Sequence, residues 1–386
     1  MKKIIFTFLL CFSVTLYAQN VTVSSGKTLT IEKSGSITIA GDFTNSGTVT
    51  LNSDSNEFAV IKVSGSSSGN ITYNRYVNAI GTNEWDLIGS PVDGQSISGF
   101  ATTNATPLAT GGGSGSDQYA IGYYDNSQDE WTNYTTGTIG AAGNFDIGKG
   151  YAMGTDSGAT VAFTGTIATT DQAQAIINND AANSGSGRRW DLIANPFPSY
   201  LNANSPADGS NNFLTVNTSK LDDTYEAVYG YDADGSGYTI YNHTYNSSAA
   251  VYIAPGQAFM VASDDTSSDT VSFTEAMQTT SGSDDFISGD DMNDVYEILL
   301  RLYHGDEEIG ETRLYFEEGL SLGLDPGYDA GAFDENAALM TRLIEDDAGH
   351  GLAINAMSTE DMDDVVIPLE INQTSDREFR VNLHTS

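Results

Sequence analysis

Glu84-Trp85-Asp86-Leu87-Ile88-Gly89-Ser90-Pro91 recurs as Arg189-Trp190-Asp191-Leu192-Ile193-Ala194-Asn195-Pro196, about 105 residues further on. Three more blocks repeat in the same order. Ala120-Ile121-Gly122-Tyr123-Tyr124-Asp125 answers Ala227-Val228-Tyr229-Gly230-Tyr231-Asp232, with Trp131 and Tyr134 answered by Tyr238 and Tyr241. Ile147-Gly148-Lys149-Gly150 answers Ile253-Ala254-Pro255-Gly256, and Thr160-Val161-Ala162-Phe163-Thr164 answers Thr270-Val271-Ser272-Phe273-Thr274. Four ordered matches at nearly one offset mark a tandem duplication of one module, residues 81–185 and 186–280. Within each copy aromatic and β-branched residues alternate with polar ones between Gly/Asn/Asp turns. That is the pattern of an antiparallel, sandwich-like sheet with one buried face.

Toward the N-terminus, residues 19–80 carry short apolar doublets spaced by two (Val21/Val23, Leu29/Ile31, Ile37/Ile39, Val49/Leu51) between Gly/Ser/Asn turns. This suits a short β-solenoid or, equally, a plain β-meander. Residues 1–18 read as a signal peptide: Lys2 and Lys3, an apolar run from Ile4 to Leu16, then Ala18. The run is shorter than the roughly 20 residues needed to span a bilayer, so no membrane span is expected. The single Cys11 falls inside the leader, leaving an exported chain with no disulfide.

Toward the C-terminus, residues 281–294 read as an acidic linker. Residues 295–386 then alternate as five strands, at 295–303, 312–316, 352–356, 365–371 and 378–383. Ala338, Leu339, Leu343 and Ile344 have helical spacing, so residues 335–345 read as readily as a short helix. A sandwich needs about seven strands, so this last domain reads as a partial C-terminal β-sandwich, either unusually small or cut short. The whole is all-β.

With 52 acidic against 15 basic residues, the formal charge is -37. So few cations exclude binding to a phosphate backbone or an anionic membrane, yet 39% apolar and aromatic residues are too many for an acidic disordered tail.

The block Trp190-Asp191-Leu192-Ile193-Ala194-Asn195-Pro196-Phe197-Pro198-Ser199, the later Ile253-Ala254-Pro255-Gly256-Gln257-Ala258-Phe259, then Leu324-Asp325-Pro326-Gly327-Tyr328-Asp329-Ala330 and Leu352-Ala353-Ile354-Asn355 together resemble modular surface proteins of Bacteroidota exported by type IX secretion. The resemblance covers residues 81–386. It implies a secreted or cell-surface protein of β modules, and says little of activity. It also implies a C-terminal sorting domain; none is found before Ser386, so the expectation is a chain cut short.

Catalytic motifs are sparse. His243, His304, His350 and His384 lack the spacing of a zinc pair. Gly65-Ser66-Ser67-Ser68-Gly69 fits a nucleophile elbow formally, but it precedes a strand and not a helix, as a turn would. Among 52 acidic residues, two neighbouring carboxylates carry no signal without geometry.

Two binding features remain. Asp232, Asp234 and Ser236 alternate around Gly235 as at the start of a Ca²⁺ loop, though the same residues make an ordinary Asp/Gly hairpin turn. Tyr123, Trp131 and Tyr134, with Tyr229, Tyr238 and Tyr241, are either core or flat platforms for sugar rings. The function expected is adhesion or glycan binding without catalysis, the partner being extracellular polysaccharide or a cell-surface component. The alternative is a polysaccharide-degrading enzyme or its accessory region.

Overall fold

The computed structural model describes residues 15–80, 85–106, 108–111, 117–180, 187–232, 237–244, 250–264, 266–280, 282, 297–317, 319–362, 365–373 and 378–385. Among the described residues strands dominate, and the two α-helices are a few residues each.

The N-terminal segment is a three-sided parallel coil, which decides for the solenoid against the meander. One side stacks Thr15–Ala18, Ser36–Ile39 and Val60–Val63, the second Val21–Val23, Phe43–Asn45 and Ser67–Ser68, the third Thr28–Ile31, Thr48–Asn52 and Ile71–Val77. Inward positions stack Ile37, Ile39, Phe43, Val49, Leu51, Ile61, Val63 and Ile71 into a dry column. The corners need residues without a side chain. Gly69 has φ +82°, and a Cβ there would lie 2.0 Å from the Asn45 carbonyl of the coil below. Thr15–Ala18, at the end of the expected leader, forms the first strand, so cleavage after Ala18 would open the edge of Ser36–Ile39.

Each copy of the module is then built the same way. In copy 1 the strands Asp86–Ile88, Tyr151–Met153, Gln118–Asp125 and Glu130–Thr135 lie side by side; copy 2 repeats this with Trp190–Ala194, Ala258–Ala262, Val228–Asp232 and Gly237–Tyr241. A short helix follows the first strand, Ile97–Thr103 in copy 1 and Phe213–Asn217 in copy 2. Ser96 caps the first by accepting from the Gly99 N–H, and Asn212 caps the second by accepting from Thr215 N–H. At the far end Asn104 donates to Phe100 O and Ala162 O while accepting from Ala162 N–H. Asn217 makes the same three bonds with Phe213 and Ser272. These asparagines clamp each helix to the last long strand of its copy, Ala159–Gly165 or Asp269–Phe273, the latter followed in copy 2 by the two-residue Gln278–Thr279.

That last long strand pairs antiparallel with a strand that the sequence reading placed elsewhere. Ala159–Gly165 pairs with Ile71–Val77, which is also a rung of the coil. Asp269–Phe273 pairs with Gln172–Ile176, assigned above to the end of copy 1. By pairing, the copies begin at these strands, and copy 1 shares one core with the coil.

Among the described residues the C-terminal segment is one mixed sheet of seven strands, in the order Leu369–Ile371, Leu339–Thr341, Leu352–Met357, Glu307–Phe316, Glu297–His304 and Arg380–Thr385, with Ala330–Gly331 against Leu352–Met357. One face, through Tyr315, Ala330, Ile354 and Ala356, packs on the sheet of copy 2. The other holds Leu300, Leu302, Leu314, Phe316 and Met357. The second layer that the partial sandwich lacked is therefore copy 2. Residues 335–345 hold a strand and not a helix: Leu339 pairs with Ile371, and that tertiary pairing overrides the local spacing.

Candidate functional site

Two of the chain's few cations are buried at joints. Arg75 reaches from the coil to Gln257 Oε1 of copy 2 (3.1 Å), its guanidinium 4.4 Å from the centre of the Phe58 ring. Arg189 pairs with Asp180 (3.4 Å) and with Glu335 of the C-terminal sheet (3.3 Å). Between the copies the contact is reciprocal: Gly89 N–H donates to Gly256 O, and Ala194 N–H to Gly148 O, both 2.8 Å. Gly89 and Ala194 occupy the same position of the repeated block, and a Cβ on Gly89 would lie 2.3 Å from that of Ala194.

The aspartate of the repeated block does the same work in both copies. Asp86 accepts the backbone N–H of Asn78, and Asp191 that of Ile177, each just beyond the first strand of its copy. Burial pushes the Asp86 carboxyl up from its ordinary value and that of Asp191 up to about 7.

The aromatic hairpins occupy the outer edge of each sheet. In copy 1 Tyr124 sits across from Trp131, ring centres 5.2 Å apart; in copy 2 Tyr231 sits across from Tyr238, 5.3 Å apart. Over copy 2 the Phe333 ring stacks on Tyr238 at 3.7 Å and 21°. Over copy 1 Trp131 remains 45% exposed.

Of the six aromatics singled out in the sequence, Trp131 is thus the open one. Tyr123 and Tyr134 meet on the opposite face of the copy 1 hairpin, 5.6 Å apart and half-buried, with Lys149 Nζ 5.4 Å from the Tyr123 ring centre. Burial pushes the Tyr134 hydroxyl up to about 12. Tyr229 is fully buried, its hydroxyl donating to Gly331 O at 2.9 Å, so no ring face is left for a ligand. Tyr241 packs against the core of copy 2. Tyr229 opposes Met260 as Gly122 opposes Ala152, so it corresponds to Gly122 and not to Tyr123. A shift of one residue puts these two tyrosines on opposite sheet faces.

The acidic tip of copy 1 is tied into the fold. Asp125 accepts from Ser127 N–H and Oγ–H, the Tyr124 hydroxyl lies 2.7 Å from both Asp129 Oδ1 and Gly187 O, and Asn126 donates to Ile177 O and Asp191 Oδ1. In copy 2 Asp232 closes its strand, while Asp234 and Ser236 lie outside the described residues. Among the described residues no three His, Cys, Asp or Glu side chains gather as metal ligands. No helix among them is long and apolar enough to cross a membrane.

Fold and surface thus define an all-β protein made of a parallel coil, a duplicated sheet module and a C-terminal sheet that closes over the second copy. The chain belongs to the family described as a domain of unknown function (DUF8693), whose model matches residues 7–386. No curated protein and no solved structure matches it.

Proposed function

We propose that the chain is a secreted or cell-surface, non-catalytic β protein that adheres to extracellular glycan through the open hairpin of copy 1. One observation carries this reading: the same cross-strand aromatic pair is built twice, sealed by Phe333 in copy 2 and left open at Trp131 in copy 1. An exposed indole beside a tyrosine is apolar surface of the size of one sugar face. The leader-like N-terminus and the resemblance to exported surface proteins support an extracellular site of work. A charge of -37 favours neutral glycans, or anionic ones bridged by Ca²⁺, over bare polyanions.

The test is gel retardation on a panel of plant and marine polysaccharides, with Ca²⁺ or chelator, alongside an assay for new sugar ends. Retardation without new ends, lost in Trp131→Ala while the melting temperature holds, is the expected outcome. Undiminished retardation in Trp131→Ala, or new ends that accumulate with time, overturns it. Loss of retardation in chelator would show that binding needs Ca²⁺.

A further inference from the structure

A cleft of about 240 Å³ opens at the joint between the coil and copy 2, and it shares no lining residue with the copy 1 hairpin. The coil supplies Ser34, Asn56, Glu57 and Phe58; copy 2 supplies Tyr200 and Thr280. The walls are fixed relative to each other. Ile61 N–H donates to Pro198 O (2.9 Å), Lys62 Nζ donates to Gln278 O (2.6 Å), and Arg75 bridges to Gln257 beside Phe58. Such a cleft is pre-formed at a domain joint, and its volume lies below the roughly 300–1,000 Å³ of sites for drug-sized ligands.

Its chemistry is divided. At the back the Phe58 and Tyr200 rings meet edge to face, centres 6.1 Å apart at 89°; both are buried, 2% and 6% exposed, so it is their edges alone that reach the cleft. At the mouth Glu57 accepts from the Ser34 hydroxyl and pairs with Lys33 at 3.1 Å, and these contacts hold its carboxyl below the ordinary value, so it is an ionised acceptor. The Asn56 side-chain oxygen takes the Ser55 hydroxyl, which leaves its amide N–H groups as donors. Ser34 has φ +62°, a left-handed conformation that strains a residue other than glycine. That conformation brings its hydroxyl onto Glu57.

We propose that this cleft binds one neutral hydroxylated ring, a pyranose unit. A pyranose has an apolar C–H face for the Phe58 and Tyr200 edges, and hydroxyls that donate to Glu57 and accept from Asn56 and Thr280. A phosphate or carboxylate would meet Glu57 with like charge, Lys33 being already engaged by Asp54 and Glu57. An aliphatic chain would strip water from an ionised carboxylate without replacing it. The inference rests on this cleft alone and stands whether or not the hairpin binds glycan.

Saturation-transfer NMR on the full chain tests it, with the methyl glycosides of glucose, galactose and mannose as probes at millimolar concentration. At least one glycoside should show transfer. That signal should persist in Trp131→Ala, and in that background it should vanish when Thr280→Trp fills the cleft and weaken several-fold in Ser34→Gly. Ser34→Gly removes the hydroxyl and relieves the strained φ, so its melting temperature should not fall and a folding defect cannot mimic the effect. Absence of transfer from all three glycosides, or transfer unchanged in Ser34→Gly, overturns the proposal. Polysaccharide retardation lost in Trp131→Ala, with glycoside transfer absent, would keep the hairpin reading and remove this one.

Discussion

Copies 1 and 2 share their frame and differ in their cover. The aspartate latch, the helix N-cap, the asparagine clamp and the cross-strand aromatic pair occur in both. Each of these satisfies a backbone group or a ring that burial would otherwise leave unpaired, so a copy that lost one would lose stability. What lies above the hairpin is free of that constraint. Copy 2 carries the C-terminal sheet there, with Phe333 against Tyr238 and Trp190, whereas copy 1 presents Trp131 to solvent. The two copies share one scaffold, and the outer face is a domain joint in copy 2 and a surface in copy 1.

The sharpest way to break the relation between the copies is at the point where they touch. Gly89→Leu would drive a side chain into Ala194 Cβ at 2.3 Å and Lys149 O at 2.7 Å, against neighbouring sheet backbone that cannot swing away. Overpacking of this kind costs about 3 kcal/mol, and urea denaturation should show it as an earlier midpoint. Gly140→Ala, where a Cβ meets nothing within 4 Å, is the control and should change little.

Removing the cover is the next largest effect. Phe333→Ala takes away the ring stacked on Tyr238 and 4.5 Å from Trp190. Because Phe333 is only half-buried, a loss of about 2 kcal/mol is expected, below the usual range for core phenylalanines. The sharper readout is acrylamide quenching of tryptophan fluorescence. Trp190, 3% exposed in the intact protein, should become accessible while Trp131 stays so. If quenching does not rise, Phe333 is not what distinguishes the two faces.

The duplication was legible in the sequence because its marks are large residues in fixed order, Trp85-Asp86-Leu87-Ile88 and Trp190-Asp191-Leu192-Ile193. The helix clamp was hidden although its residues also repeat, as Phe100-Ala101-Thr102-Thr103-Asn104 and Phe213-Leu214-Thr215-Val216-Asn217, since only the phenylalanine, one threonine and the asparagine persist, too few to stand out in so short a stretch. In the coil, turns near every tenth residue mark strands, whereas the true repeat is one circuit: Leu29 pairs with Val49 and Ile37 with Ile61. The hairpin aromatics were found, but Gly122-Tyr123 and Tyr229-Gly230 reverse order, and composition does not reveal which face a ring takes. Phe333 lies almost a hundred residues from the hairpin it covers. No local pattern announces such a contact, and the same holds for the cleft, whose walls come from the coil and copy 2.

The smallest effect separates the two latches by pH. Burial raises the carboxyls of Asp191, Glu226 and Asp329 to about 7 each, against a little above or below 4 in the unfolded chain. Between about pH 4 and 7 the folded protein therefore binds more protons than the unfolded one, and its stability falls as pH rises through that window. The melting temperature should be higher near pH 5 than near pH 8, opposite to a protein held by ionised, paired carboxylates. Asp191→Asn keeps an oxygen for the Ile177 N–H and removes the titration, so part of the slope should disappear while Asp86, Glu226 and Asp329 keep the rest. A slope identical to the parent would mean that Asp191 is ionised in the folded protein at pH 5, with Lys149 and the Ile177 N–H outweighing its burial.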